Sequence, residues 1–269
     1  MKKTLFIGIL LGVLGLSSCS KFTRLQKEND LDKKYEGALD YYDEEEYLKA
    51  SILLEELIPL VRGTAKSENV LYYHAKATYM DSDFILANYY FNNFVKTFPN
   101  SQYAEECAFL SSLCMVKESP NYSLDQSETL NAIDGLQLFL DQYPTTNKKD
   151  TINSMIKDLR AKLELKAYEG ARQYYHIRRY KSAVIALENA LREYPDSRFR
   201  EDMLYYIVAA NYELATNSID AKKEERLLDT IESYHNFADS YSSSEYLKQA
   251  EGWYDNALKA LEELRANKN

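Results

Sequence analysis

The side chains able to do chemistry in this chain are few: Cys19, Cys107, Cys114, His74, His176, His235 and an acidic run, Asp43–Glu46. Nucleophilic catalysis would need a thiol or hydroxyl beside a base that is itself held by a third group. A metal centre would need several Cys, His or carboxylate ligands at short fixed intervals. Neither pattern occurs. The histidines are scattered, there is no Gly-x-Ser-x-Gly, and the eight glycines form no phosphate-binding loop. Cys107 and Cys114 are seven apart in an expected helix, so their Cα atoms would lie about 10 Å apart, beyond disulfide reach. They read as two small buried thiols. Asp43–Glu46 reads as a solvated turn between helices. No catalytic residue, metal ligand or cofactor is expected.

Cys19 is different. Lys2 and Lys3 precede an apolar run, Leu5–Leu16, and the run ends in Leu16, Ser17, Ser18, Cys19. Twelve helical residues reach about 18 Å against about 30 Å of hydrocarbon, too short for a permanent span. The ending resembles the bacterial lipobox, in which the cysteine is acylated and becomes the new N-terminus. On this reading 1–18 is a cleaved signal peptide and 19–30 a lipidated cysteine with a polar tether. In the lipoproteins that this ending resembles, a residue such as Ser20 in place of Asp after the cysteine, and the lack of an acidic run in Ser20–Lys27, imply the outer membrane, periplasmic side. The alternative is an ordinary secretory signal that happens to contain Cys19.

The elements that position any site are helices. Of 269 residues 28% are charged and 45% hydrophobic, with only 8 Gly and 5 Pro, which argues against a loop-rich β protein. The formal charge is −9 and becomes two units more negative when Lys2 and Lys3 are removed, which excludes nucleic acid as a natural partner. A phrase recurs: Phe98-Pro99-Asn100-Ser101, Tyr143-Pro144-Thr145-Thr146, Tyr194-Pro195-Asp196-Ser197, and without proline at Tyr241–Ser244. Ala87, Ala132 and Ala183 each lie twelve residues before one of these prolines, and Ala75, Ala171 and Ala38 twelve before Ala87, Ala183 and Ala50. Close helix packing needs small residues, and proline stops a helix. The spacing is that of the tetratricopeptide (TPR) repeat. The expectation is an all-α, TPR-like helical solenoid of about five helix pairs with a C-terminal capping helix. Repeats 1–3 would fill 31–146; repeats 4–5 and the cap, 147–269. Tyr47, Phe84 and Tyr180 should open second helices. Ile152, Ile156, Leu159, Leu163, Ala167 and Ala171 should form the stripe of one helix of about 28 residues, roughly 42 Å long. Ser101 and Ser197 are expected as N-caps, and Ser242 with Glu245 as a capping box. Surplus residues should form a loop at Glu118–Ser127 and an insertion at Ala215–Glu225.

Lipobox, repeats and junctions together resemble the BamD family, the lipoprotein of the outer-membrane β-barrel assembly machine. Ser123–Pro144 is similar to the start and end of that family's third repeat, and Arg192–Ile207 to its fourth-to-fifth junction. Leu57–Gly63, the absent proline near Ser242 and the longer second insertion depart from its pattern. The resemblance implies a non-enzymatic scaffold. Its C-terminal repeats would hold a POTRA domain of a BamA-type barrel protein. Its N-terminal repeats would receive C-terminal segments of unfolded outer-membrane protein substrates, alongside other lipoproteins of the machine.

By spacing, the first helices of repeats 1–3 should turn Tyr35, Leu39, Tyr42, Tyr72, Lys76, Tyr79, Ser112 and Met115 toward a peptide groove. An aromatic surface with few polar groups suits an extended peptide, and Lys76 could meet a terminal carboxylate. The competing reading makes many of these tyrosines inter-repeat packing. Arg198 and Arg200 are the candidate partner-binding pair, because cations in a first turn do not help the helix dipole. A local pair with Glu201 or Asp202 is the alternative. At the level of function the rival is a TPR lipoprotein of another envelope system: a secretin pilotin, a cell-wall coordinator or a glycan-binding lipoprotein.

Overall fold

A computed structural model of the chain describes residues 21–267; the signal peptide and Cys19 lie outside the described residues. Eleven helices of eleven residues or more follow: α1 (Leu31–Asp43), α2 (Tyr47–Leu57), α3 (Ser67–Met80), α4 (Phe84–Thr97), α5 (Ala104–Glu118), α6 (Ser127–Gln142), α7 (Lys149–His176), α8 (Tyr180–Glu193), α9 (Arg200–Thr216), α10 (Asp220–Ser240) and α11 (Leu247–Ala266). No strand occurs among the described residues, and no helix there is long and apolar enough to cross a membrane. The fold is all-α and TPR-like. Tyr47, Phe84 and Tyr180 open α2, α4 and α8. The spaced alanines Ala38, Ala50, Ala75, Ala87, Ala132, Ala171 and Ala183 are all buried, at 0–2% exposure. The long helix α7 has 28 residues.

Two compact units divide the chain, with the boundary inside α7 after Ile156. The first unit has one core around Tyr41, Leu53, Leu54, Leu57 and Val70, and another around Tyr72, Phe91, Phe94, Cys107 and Cys114. The second unit packs Tyr168, Leu187, Met203, Val208 and Phe237 under Tyr205, Tyr246 and Trp253. It also takes the short loop Asn121–Leu124, where the Lys166 ammonium donates to the carbonyls of Tyr122 and Leu124 at 3.3 and 2.7 Å. In the closing helix α11, Ala257 and Leu261 are buried and Trp253 lies 5.4 Å from Tyr205.

Four expectations are corrected. Residues 21–26 are not a free tether. Residues 21–26 are helical, Phe22 meets Tyr41 edge-on at 5.9 Å, and Leu25 occupies the space that a side chain at Gly37 would need. Ser101 and Ser197 are not N-caps, since α5 and α9 start three residues later behind Tyr103 and Phe199. Ser242 makes no capping box, because α11 starts at Leu247 and the working hydroxyl is that of Ser244, which accepts the Tyr246 N–H at 3.1 Å. The second insertion also differs from expectation. Between α9 and α10 there is only the turn 217–219, and the surplus lengthens α10 to 21 residues.

What the hydroxyls do explains the recurring phrase. Ser101 donates to Glu68 at 2.5 Å and accepts the Tyr103 N–H at 2.9 Å. Thr146 donates to Glu105 at 2.7 Å and accepts the Lys148 N–H at 3.3 Å. Ser197 donates to Glu164 at 2.5 Å and accepts the Phe199 N–H at 3.0 Å. Each carboxylate sits on the first helix of the repeat that is ending. Four residues after it comes an aromatic ring, and the residue two after the hydroxyl packs on that ring. Tyr103 stacks on Tyr72 at 4.1 Å, Phe199 on Tyr168 at 4.6 Å and Tyr246 on Tyr205 at 4.6 Å. In the third repeat the Lys148 ammonium lies 5.6 Å over Phe109. Hydrogen bonds to an ionised acceptor contribute about 1.5–3 kcal/mol each. Glu164 accepts both the Ser197 hydroxyl and the Arg198 N–H at 3.0 Å. Glu164→Ala should therefore lower stability by about 2 kcal/mol, and Glu262→Ala, at an exposed site, by less than about 0.5 kcal/mol; urea unfolding of both variants checks this.

His74 is 3% exposed. Its Nδ1 has no hydrogen-bond partner among the described residues, and its ring lies 4.4 Å from Tyr90. Burial lowers its pKa from 6.5 to about 4. The unfolded chain therefore takes up this proton first. The stability linked to His74 is complete above about pH 6.5 and is lost as pH falls toward 4. The slope approaches about 1.4 kcal/mol per pH unit. His74→Leu should flatten the dependence of unfolding midpoint on pH across that interval relative to the parent chain.

Candidate functional site

In the first unit, α1, α3 and the start of α5 bring together a surface rich in tyrosine. Tyr42 meets Tyr47 at 5.4 Å and Tyr73 at 5.6 Å, and Tyr73 meets Tyr72 at 5.2 Å, all edge-to-face. Such pairs contribute beyond the area they bury. Tyr72 itself is only 5% exposed, because its ring is covered by Tyr103. Its hydroxyl is not idle. It donates to Glu106 Oε2 at 2.8 Å and accepts from the Lys76 ammonium at 3.1 Å, and Lys76 also reaches Glu106 Oε1 at 3.2 Å.

These three side chains form a closed polar triangle at the edge of the tyrosine surface. The side chains of Lys76 and Glu106 keep 26% and 42% of their surface, so the ion pair is within reach of a ligand. Burial pushes the Tyr35 phenol up to about 12, helped by Tyr73 and Tyr103 nearby. Burial, only partly offset by Lys76, also raises Tyr42. Tyr72 is raised too, by burial and by its bond to Glu106, against the opposing pull of Lys76. For Lys76 burial works to lower the pKa. The Tyr72 hydrogen bond and the neighbouring Tyr42, Tyr72 and Glu106 outweigh it, and the pKa is raised. At neutral pH the surface therefore carries neutral phenols and one firmly charged ammonium.

The other expected groove residues separate from this cluster. Leu39 is half-buried on α1. Tyr79 packs edge-on against Phe84 at 5.4 Å, in the second core of the unit. Ser112 is 5% exposed, and its hydroxyl donates to the carbonyls of Ala108 and Gly135 at 3.2 and 3.1 Å, which holds α5 to α6. Met115 lies against Gly135, where its Sδ would be 2.6 Å from an added Cβ. Tyr73, Tyr103 and Glu106 were not foreseen as site residues. Glu106 lies in the first turn of α5. The signal that could have found it is its place five residues after Ser101, beside a lysine one repeat earlier.

In the second unit, Arg198 is exposed and Arg200 half-exposed. The Arg198 guanidinium lies 4.6 Å over the Phe199 ring, and Arg200 donates from Nη1 to the Pro195 carbonyl at 3.3 Å. Neither side chain makes a salt bridge to Glu201 or Asp202. Asp202 instead accepts from the Tyr246 hydroxyl at 3.4 Å. A further cation, Arg172, lies 5.4 Å over Tyr168, the ring on which Phe199 stacks. Cys107 and Cys114 are fully buried, and burial, first among the causes, raises both thiols to about 12. They are not reactive at neutral pH. Among the described residues no group of three or more His, Cys, Asp or Glu is placed to hold a metal ion.

Comparison with known proteins bears on what such an arrangement serves. A curated protein of Aquifex aeolicus (strain VF5), described as "Putative outer membrane protein assembly factor BamD", is 26% identical over 260 residues, covering 96% of this chain and 83% of that one. A solved structure, the TPR2AB domain of yeast Sti1 in its pHSP90 complex, aligns over 88% of this chain and 90% of its own, at 17% identity and a TM-score of 0.41. Residues 27–228 match the family described as YfiO, outer membrane lipoprotein. That span takes in both the tyrosine surface with its Lys76–Glu106 pair and the Arg198–Arg200 junction, and the chain belongs to this family of outer membrane lipoproteins.

Proposed function

We propose that the chain is a non-enzymatic scaffold of the outer-membrane β-barrel assembly machinery, anchored through Cys19 on the periplasmic side. Its N-terminal repeats receive the C-terminal segments of unfolded outer-membrane proteins. Its C-terminal repeats hold the POTRA region of a BamA-type barrel protein through Arg198 and Arg200. Family membership supports the assignment to outer-membrane assembly. The observation that carries the peptide-binding part is the exchangeable Lys76–Glu106 pair bordered by neutral tyrosines. An extended peptide with alternate aromatic side chains can lay them on Tyr35, Tyr42 and Tyr73, while its terminal carboxylate takes the place of Glu106 on Lys76. For the partner surface, two guanidiniums with no salt bridge among the described residues, in a chain of charge −9, suit an acidic partner surface.

Detergent-solubilised membranes offer the direct test. A C-terminally tagged chain should co-purify a POTRA-bearing barrel protein in near-stoichiometric amount, and Arg198→Glu with Arg200→Glu should reduce that recovery several-fold. Recovery of a secretin or a cell-wall enzyme in its place would remove the assembly reading and leave the lipoprotein family standing.

The groove is tested with a fluorescent peptide of alternating aromatic residues that ends in a free phenylalanine carboxylate. Lys76→Ala should weaken binding about tenfold, the equivalent of one charge-assisted hydrogen bond. Glu106→Gln should tighten it, because the internal competitor is gone. C-terminal amidation should abolish the difference between Lys76→Ala and the parent chain. Equal binding of the free and amidated peptides would dispose of the Lys76 role.

A further inference from the structure

The helical segment 21–26 is fixed to the first repeat at every turn. Phe22 and Leu25 join the core formed by α1 and α2. Leu25 fills the space left by Gly37. Lys34, only 5% exposed, donates to the Gln26 carbonyl at 2.8 Å and to Glu56 at 2.8 Å. At the start of the segment, Lys21 pairs with Asp40 at 3.4 Å and Glu44 at 3.8 Å, and its ammonium lies 5.3 Å from the Tyr41 ring centroid. The segment thus begins beside the end of α1 and the turn into α2. Only Ser20 separates Cys19 from it, and two peptide units span at most about 7 Å.

We propose that residues 21–26 are a rigid coupling between lipid and protein, which holds the α1–α2 turn of the first repeat against a zwitterionic phospholipid surface. The inference rests on acylation of Cys19. A lipidated cysteine on a free tether would let the protein wander tens of ångströms from the bilayer. A lipidated cysteine one residue from a packed helix cannot. The face brought to the membrane is the rim that carries Asp43, Glu44, Glu45 and Glu46, with Leu48 next to it at 57% exposure. Four carboxylates disfavour an anionic surface, so the occupant that this rim accepts is a zwitterionic headgroup layer. Lys21, by pairing with Asp40 and Glu44, neutralises the acidic charge nearest the anchor.

Energy transfer to the bilayer tests the coupling in the full chain. The protein, processed in a bacterial host and reconstituted into phosphatidylcholine vesicles with a headgroup acceptor dye, carries a donor at Leu48→Cys. Cys107 and Cys114 are buried with thiols raised to about 12 and do not compete for the label. A second preparation carries the donor at Asn100→Cys, beyond the far end of α4, a helix about 20 Å long. Transfer should be several-fold higher from Leu48 than from Asn100. A twelve-residue Gly/Ser spacer between Ser20 and Lys21, with a reach of about 20 Å, should cut transfer from Leu48 by at least half. Equal transfer from the two sites, or a spacer without effect in vesicle-bound protein, would overturn the rigid coupling. Mass analysis of the N-terminal peptide separates the two failures: an unmodified Cys19 removes the anchor and the coupling with it, whereas acylated Cys19 with no effect of the spacer removes only the coupling.

Discussion

A hydroxyl held by a carboxylate at the end of the second, third and fourth repeats is the constraint from which the rest of the molecule follows. Ser101 on Glu68, Thr146 on Glu105 and Ser197 on Glu164 each fix the chain where it leaves one helix pair and enters the next. The same hydroxyls accept an N–H two residues on, so one oxygen sets both the turn and its distance from the preceding pair. With the turn fixed, the residue after it can only land on the ring four positions beyond the carboxylate. Tyr103 on Tyr72 is one product of that geometry. The polar triangle of Tyr72, Lys76 and Glu106 is its direct consequence, since Glu106 lies in the first turn of the helix that Tyr103 introduces.

Proline looked like the agent of these junctions and is not the decisive one. Phe98, Tyr143 and Tyr194, each before a proline, have φ, ψ near −125°, 65°. Tyr241, followed by serine, takes φ −138° and ψ 60°, and the Ser244 N–H still donates to its carbonyl at 3.1 Å. The departures of the last repeat from the expected phrase therefore leave its geometry intact. Proline stops the helix and narrows the preceding residue, while the hydroxyl turn supplies the shape.

How much the sequence revealed depended on the range of each interaction. Alanines twelve apart, the aromatic openers Tyr47, Phe84 and Tyr180, and the 28-residue stripe of α7 are periodic features of one helix or one pair, and a linear pattern displays them. The carboxylate partners are 33 residues away at Ser101 and Ser197 but 41 at Thr146, in the repeat that carries the Ser119–Gln126 loop. No fixed spacing marks them, and the serines were read as local caps for that reason. Residues 21–30 looked like a tether because their composition is polar. What packs them is Gly37, a gap on another helix that Leu25 fills. Within the candidate groove, Tyr35 and Tyr42 on α1 and Tyr72 and Lys76 on α3 follow the helical spacing that the sequence displays. Ser112 and Met115 shared the expected face and were instead taken up by Gly135 of α6, a contact that only the packed structure reveals.

The chemistry of the tyrosine surface follows from its being assembled from junction parts. A lysine with no partner would bind any anion, and in an acidic chain it would collapse onto the nearest carboxylate. Here the carboxylate is chosen in advance, and Tyr72 holds it in place. The proposed peptide carboxylate would have to displace Glu106, so its binding energy would be the difference between two similar ion pairs and would stay modest. Discrimination then shifts to the rings. Neutral phenols on Tyr35 and Tyr42 favour a peptide that brings apolar side chains together with its carboxylate, and a lone anion gains little. On the proposed function, a surface of that kind would bind unfolded segments reversibly, and a scaffold that received a chain and then released it would need that property more than tight binding.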